Sequence, residues 1–100
     1  MFLVRDIMHC KPGQVRPMVK KFLALSALAE REGIGKMRIM TDVSAERYWT
    51  VVSEMEVQSL EQWSASMQRS MQLKEFQDVM AGYHDIVIDG RREIYAVESA

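Results

Sequence analysis

The sequence predicts an α+β domain built in the order strand, helix, strand, strand, helix, strand, and three observations carry that prediction. The apolar period changes from two to between three and four and back again along the chain. Turn and cap residues, Lys11-Pro12-Gly13 and Glu32-Gly33-Ile34, stand where the period changes. The two halves also repeat one pattern. At 100 residues the chain has the size of a single domain, expected over residues 1–100, with no linker or low-complexity segment.

Phe2 to Cys10 mixes β-branched and large apolar residues with single polar ones, which reads as a strand stopped by Lys11-Pro12-Gly13. From Gln14 onward, Val15, Met18, Val19, Phe22 and Ala29 recur at helical spacing with Arg16, Lys20, Lys21, Glu30 and Arg31 mostly opposite. Pro17 suits a first turn, and Gly33 suits a left-handed cap. Met37 to Asp42 alternates, and a partner strand is expected from Arg47 to about Val57. Ser59 and Gln62 form a capping box ahead of Leu60, Trp63, Met67 and Met71. Gln72 interrupts that rhythm before Leu73, Phe76, Met80 and Tyr83 resume it, so either a bent helix or two short ones is expected. Ile86 to Val97 is apolar β sequence around Asp89-Gly90, which either a small hairpin or one bulged strand would satisfy.

This order is the ferredoxin-like βαββαβ sandwich: a four-stranded antiparallel sheet with two helices on one face. Right-handed crossovers place the first strand between the third and the last. Two helices cover one face only, yet both faces read apolar. Phe2, Val4 and Met8 oppose Leu3 and Ile7; Tyr48 and Val52 oppose Trp49, Val51 and Met55; Met37 and Ile39 oppose Met40; Ile94 and Ala96 oppose Tyr95 and Val97. A patch larger than the roughly 300–600 Å² of ordinary monomers calls for a cover, and the simplest is a second copy stacked sheet to sheet as a homodimer.

Composition excludes several classes of function. Hydrophobic residues at 48%, charged residues at 27% and a net charge of -1 fit a soluble globular chain without an electrostatic hold on nucleic acid or anionic lipid. Arg47-Tyr48-Trp49-Thr50-Val51-Val52 lacks the glycine-bearing RNA-recognition signature. The single cysteine, Cys10, closes no internal disulfide, so a reducing cytoplasm is expected. Arg5 and Asp6 interrupt the apolar amino terminus, and the uncharged run Phe22 to Ala29 is far short of the ~20 residues of a membrane span. His9, Cys10, His84 and Asp85 are of metal-ligand type, but no paired ligand spacing joins them, so no metal is expected. No nucleophile elbow or phosphate-binding loop occurs.

Over about residues 2–98 the chain resembles the dimeric α/β-barrel superfamily, which includes small antibiotic-biosynthesis monooxygenases, haem-degrading monooxygenases and NIPSNAP-like proteins. The resemblance is carried by Lys11-Pro12-Gly13 before a helix, by Val51-Val52-Ser53-Glu54-Met55-Glu56-Val57 running into Ser59-Leu60-Glu61-Gln62-Trp63, and by the closing Arg92-Glu93-Ile94-Tyr95. It implies a sheet-to-sheet dimer with a pocket in each subunit between sheet and helices. The haem-degrading branch uses a first-strand asparagine, a second-helix tryptophan and a later histidine. Asp6 and Trp63 stand in similar places, but Met80 stands where the histidine would be and His84 follows a turn later. The resemblance therefore implies neither haem nor any other cofactor.

Asp6 is the one carboxylate inside the first strand, on the Val4 and Met8 side. Burial there would raise its pKa and suit it to proton abstraction, whereas pairing with an arginine or hydroxyl would make it structural. The Trp63 and Tyr83 stripe, with its methionines, would line a pocket for a flat apolar molecule, or simply pack as core. Helical phase puts Ser26 and Ser64 on buried faces, where each would either offer a hydroxyl to a ligand or bond its own backbone. Arg5 is expected to pair across strands with Glu54 or Glu56. The expected function is binding of a small apolar or aromatic molecule, with Asp6, Ser26, Trp63, Ser64 and Tyr83 at the site. The alternatives are a cofactor-independent monooxygenase acting on an activated aromatic, and a structural dimer with no ligand. A cavity of ~300 Å³ or more favours the first two.

Overall fold

The structure is a computed structural model describing residues 1–99; Ala100, the last position of the expected domain, lies outside the described residues. The elements are β1 (Phe2–Cys10), α1 (Val15–Arg31), β2 (Met37–Thr41), β3 (Thr50–Val57), α2 (Leu60–Met71), α3 (Lys74–Met80), a 3-10 turn (Tyr83–Asp85) and β4 (Val87–Ala96). The strands form one antiparallel sheet in the order β2-β3-β1-β4, the ferredoxin-like arrangement. The molecule measures 36 × 35 × 18 Å between Cα atoms, and the short dimension has room for one sheet and one helical layer.

Local chemistry sets the ends of these elements. Pro12 and Gly13 form the centre of a β-turn closed by Gln14 N donating to Lys11 O at 3.0 Å, with Gly13 at φ +78°, which is the glycine position of a type II turn. At the end of α1, Ile34 N donates to Ala29 O at 2.9 Å and Gly33 N to Glu30 O at 3.2 Å, the two bonds of a Schellman cap around a left-handed glycine at φ +72°. Ser59 Oγ accepts from Gln62 N at 3.2 Å and starts α2. The interruption at Gln72 separates two helices, α2 and α3, rather than bending one.

One expectation is revised and one open alternative is resolved. The third strand begins at Thr50, not Arg47, because the Asp42 carboxylate accepts from Thr50 N at 2.8 Å and Thr50 Oγ1 donates to Arg47 O at 2.8 Å. These bonds curl residues 47–49 away from the sheet, leave Tyr48 84% exposed and place Trp49 at φ +61°. The aromatic pair is therefore absent from both strand faces. Between the two readings of the last segment, the single bulged strand is the one found: His9 faces Asp89 and Cys10 faces Val87, leaving Ile88 as the extra residue. Gly90 makes no turn. It sits opposite Met8, and a Cβ there would lie 2.6 Å from Met8 Sδ and 3.2 Å from Ile7 O.

Strand alternation divides the sheet cleanly. Phe2, Val4, Met8 and Cys10 of β1 and Val51, Met55 and Val57 of β3 meet Met18, Phe22, Ala29, Leu60 and Trp63 of the helices in two apolar clusters. Leu3, Arg5, Ile7, Val52, Glu54, Met40, Glu93 and Tyr95 belong to the opposite face by register. That outer face is more ionic than expected. Arg38, Glu54, Arg5 and Glu93 form one cross-strand row, joined by contacts of 3.2, 3.2 and 3.7 Å. Arg5 thus pairs with Glu54, as the sequence suggests.

Gly90→Ala is expected to lower stability by about 1–2 kcal/mol through overpacking against Met8. The loss should shrink in the Met8→Ala background, as read from urea unfolding of the two single variants and the double variant.

Candidate functional site

Between the inner face of the sheet and the helices lies an open groove of about 660 Å³. Its walls come from Phe22, Leu25 and Leu28 on α1 and from Met67, Met71, Phe76 and Met80 on α2 and α3, with Tyr83 following in the 3-10 turn. Its floor is Met8 and Asp6 of β1, Ser53 of β3 and the Gly90 to Arg92 stretch of β4. The lining is dominated by carbon and methionine sulfur, with the polar groups confined to a few positions. Its volume is above the ~300 Å³ that favours a ligand site and within the usual range of small-molecule pockets.

Asp6 and Tyr83 both line this groove. Asp6 accepts from Arg92 Nε at 2.7 Å and Nη2 at 3.3 Å, a side-on ion pair with the carboxylate 30% exposed. Arg92 in turn lies over the Trp63 ring, its Cζ 5.0 Å from the ring centre. Trp63 packs on the Val4 and Met55 cluster, outside the groove lining, and holds Arg92 from behind. Ser26 is half-buried and donates to Met37 O at 3.4 Å, the backbone bond that makes it structural; it does not line the groove. Ser64 is corrected from buried to exposed. The buried serine of α2 is Ser70, which does line the groove; it stands in the last turn of that helix. The structure thus brings together Asp6 and Tyr83, with Trp63 one contact removed, and leaves Ser26 and Ser64 elsewhere.

Arg92, Ser53 and Ser70 escaped the sequence reading. Arg92 had a signal: it falls two residues before Ile94, on the inner parity of a continuous strand, and treating Asp89-Gly90 as a possible turn concealed that parity. Ser53 alternates inward between Val51 and Met55, and its signal was equally available.

His84, Asp89 and Arg91 also border the groove, whereas Glu93, Tyr95, His9 and Cys10 do not line it. Tyr95 Oη donates to Glu93 Oε1 at 2.8 Å; this bond, with Arg91 and Arg5 nearby, holds the Glu93 carboxyl below the usual range, and the same bond, with desolvation, pushes the Tyr95 phenol up. His9 is buried beside Thr50, with Nδ1 3.3 Å from Thr50 Oγ1. Since that hydroxyl gives its hydrogen to Arg47 O, the contact takes its hydrogen from His9 Nδ1, and Nε2 stands 4.0 Å from Asp89 Oδ1. Cys10 points to the inner face, 1% exposed; burial first and the Asp42 charge second push its thiol up. Among the described residues, no three His, Cys, Asp or Glu side chains gather as a metal site.

The comparisons with known proteins place this geometry in a wider set. No family model matches the sequence, and no curated protein does. Solved structures do match. A NIPSNAP-like domain protein from Burkholderia xenovorans superposes with a TM-score of 0.82 at 14% identity, covering 98% of this chain and 85% of that one. The fold is shared. A NIPSNAP family protein from Agrobacterium tumefaciens superposes with a TM-score of 0.78 at 11% identity, covering 95% and 90%. A putative antibiotic biosynthesis monooxygenase from Nitrosomonas europaea gives a TM-score of 0.72 at 12% identity, covering 99% and 100%. These likenesses match the superfamily that the sequence resembles, and at such identities they establish the fold alone. No helix among the described residues is long and apolar enough to cross a membrane.

In the native protein, the Cys10 thiol is expected to react with iodoacetamide at neutral pH at least about 100-fold more slowly than a free thiol. Burial withholds both access and thiolate, so the rate should climb only above the ordinary cysteine range or on adding denaturant, as followed by mass spectrometry.

Proposed function

We propose that the protein binds a small apolar or aromatic molecule in the groove, as a cytoplasmic homodimer joined through the outer faces of its sheets. The groove itself carries the reading: a volume of about 660 Å³, walled by Phe22, Leu25, Met67, Met71, Phe76 and Met80 with polar groups at few points, suits a mostly apolar guest. Dimerisation is supported by Leu3, Met40, Val52 and Tyr95, which stand at least partly exposed on the face away from the helical layer. The cytoplasmic assignment is supported by the lone free thiol.

The second reading, a cofactor-independent monooxygenase, is favoured by the fold likeness to the Nitrosomonas europaea protein. It asks Asp6 or another group to take a proton, yet both Asp6 oxygens already accept from Arg92. Binding asks for no such release and is preferred. A ligand-free structural dimer accounts poorly for so large a groove.

N-phenyl-1-naphthylamine, an uncharged fluorescent probe, is expected to bind once per subunit with micromolar affinity, and Met80→Trp, which fills the groove, should weaken it by about tenfold or more. An unchanged affinity in that variant, with the fold intact by circular dichroism, would place the probe elsewhere. Sedimentation equilibrium should give a dimer at micromolar concentration, and Val52→Glu, which adds a charge to the outer face, should give a monomer of unchanged fold.

A further inference from the structure

We propose that Arg92 is the polar anchor of the groove and selects uncharged, largely apolar ligands that carry one carbonyl-type acceptor. This inference rests on the groove being a ligand site and adds the chemistry of the ligand.

The register sets the anchor in place. Ser53, Asp6 and Arg92 stand directly opposite one another on β3, β1 and β4, so they form one polar row across a floor otherwise made of Met8, Met37 and Gly90. Arg92 spends two of its five N–H bonds on Asp6, through Nε and Nη2. Three N–H bonds remain on the guanidinium. One face of the same group lies on the Trp63 ring, which together with the two Asp6 bonds fixes its orientation before any ligand arrives. An acceptor at the ligand's end gains a charge-assisted hydrogen bond from a donor whose ordering has already been met.

Charge then discriminates among acceptors. Asp6 cancels the charge of Arg92, so the pair presents N–H donors with little net field. A ligand carboxylate would have to shed its water in an apolar groove and lie close to the Asp6 carboxylate. A ketone, quinone or amide oxygen takes the same hydrogen bond without either cost. The hydroxyls of Ser53 on the floor and Ser70 on the wall add polar surface of the same uncharged kind.

The test uses three molecules of one shape, 2-acetylnaphthalene, 2-ethylnaphthalene and 2-naphthoate, each displacing N-phenyl-1-naphthylamine from the unmodified protein at neutral pH. The ketone should bind about tenfold more tightly than the hydrocarbon, as a hydrogen bond from a charged donor implies, and more tightly than the carboxylate. Arg92→Met should erase the difference between ketone and hydrocarbon while both still bind. Asp6→Asn leaves the arginine charge uncancelled and should reverse the order of ketone and carboxylate. Equal binding of ketone and hydrocarbon, with the probe still bound, would overturn the anchor and leave the groove reading intact. Tighter binding of the carboxylate to the unmodified protein would overturn the selection for uncharged ligands, and failure of the probe itself to bind would remove both the anchor and the site it serves.

Discussion

The central position of β1, hydrogen-bonded on one side to β3 and on the other to β4, is the constraint on which the remaining structure depends. Because its neighbours are antiparallel and in register from Phe2 to His9, the alternation of β1 is imposed on the sheet as a whole. Even positions turn toward the helices and odd positions turn away. A slip of one residue would carry Val4, Met8 and Cys10 to the outer face and bring Arg5 and His9 into the core. Burial of Met18, Phe22 and Val51 against the even set, each large apolar side chain contributing roughly 1.5–3 kcal/mol, makes that slip prohibitive.

The groove follows from what β4 contributes to the inner face. At that edge the inward positions are Gly90, Arg92, Ile94 and Ala96, which offer little continuous apolar floor. α1 packs closely over β2 and β3, where Met37, Ile39, Val51 and Met55 provide such a floor. α2 has only Ser70 buried and α3 has no buried residue, so the second helical segment stands off the sheet and the space beneath it stays open. Arg31 braces this arrangement from outside: it pairs with Glu75 and holds that carboxyl below its usual range, while Lys21 donates to Val79 O and Ala81 O at 3.0 and 2.6 Å. Both ties join α1 to α3 and its end, and they fix the width of the groove at its far wall.

Most of the fold was legible because its signals are local. Lys11-Pro12-Gly13, Gly33 and Ser59 each act within one turn of chain, and each forms the bond its residue type implies. Where the reading went astray, a distant partner decided the outcome. Asp42 and Thr50 overrode the β propensity of Tyr48 and Trp49. Gly90 serves the approach of Met8 from another strand, so a dipeptide typical of turns lies inside one. Ser64 is exposed and Ser70 is buried in its stead because the helical wheel gives the phase of a face but not the tilt of the helix against the sheet. The site was legible in part: Asp6 and Tyr83 were found by strand parity and helical spacing, whereas the turn-like Asp89-Gly90 concealed the inward parity of Arg92, and the register between β1 and β4 sets its pairing with Asp6.

The outer face shows how a sheet can be both charged and ready for cover. Arg38, Glu54, Arg5 and Glu93 alternate in sign across all four strands, so this row of four sums to zero charge. Glu54 is 8% exposed within a single subunit, because its two arginine neighbours already enclose it. A charge enclosed and paired in this way has met most of its desolvation cost before a second sheet arrives, so the remaining cost of covering the row is smaller than for the same residues standing free. In the proposed dimer the apolar positions on either side, Leu3 and Tyr95 in one row and Met40 and Val52 in the other, would contribute burial. The ionic row makes the face less apolar than the sequence suggests, and in the proposed dimer its fixed alternation of charge would favour one alignment of two stacked sheets over displaced alternatives.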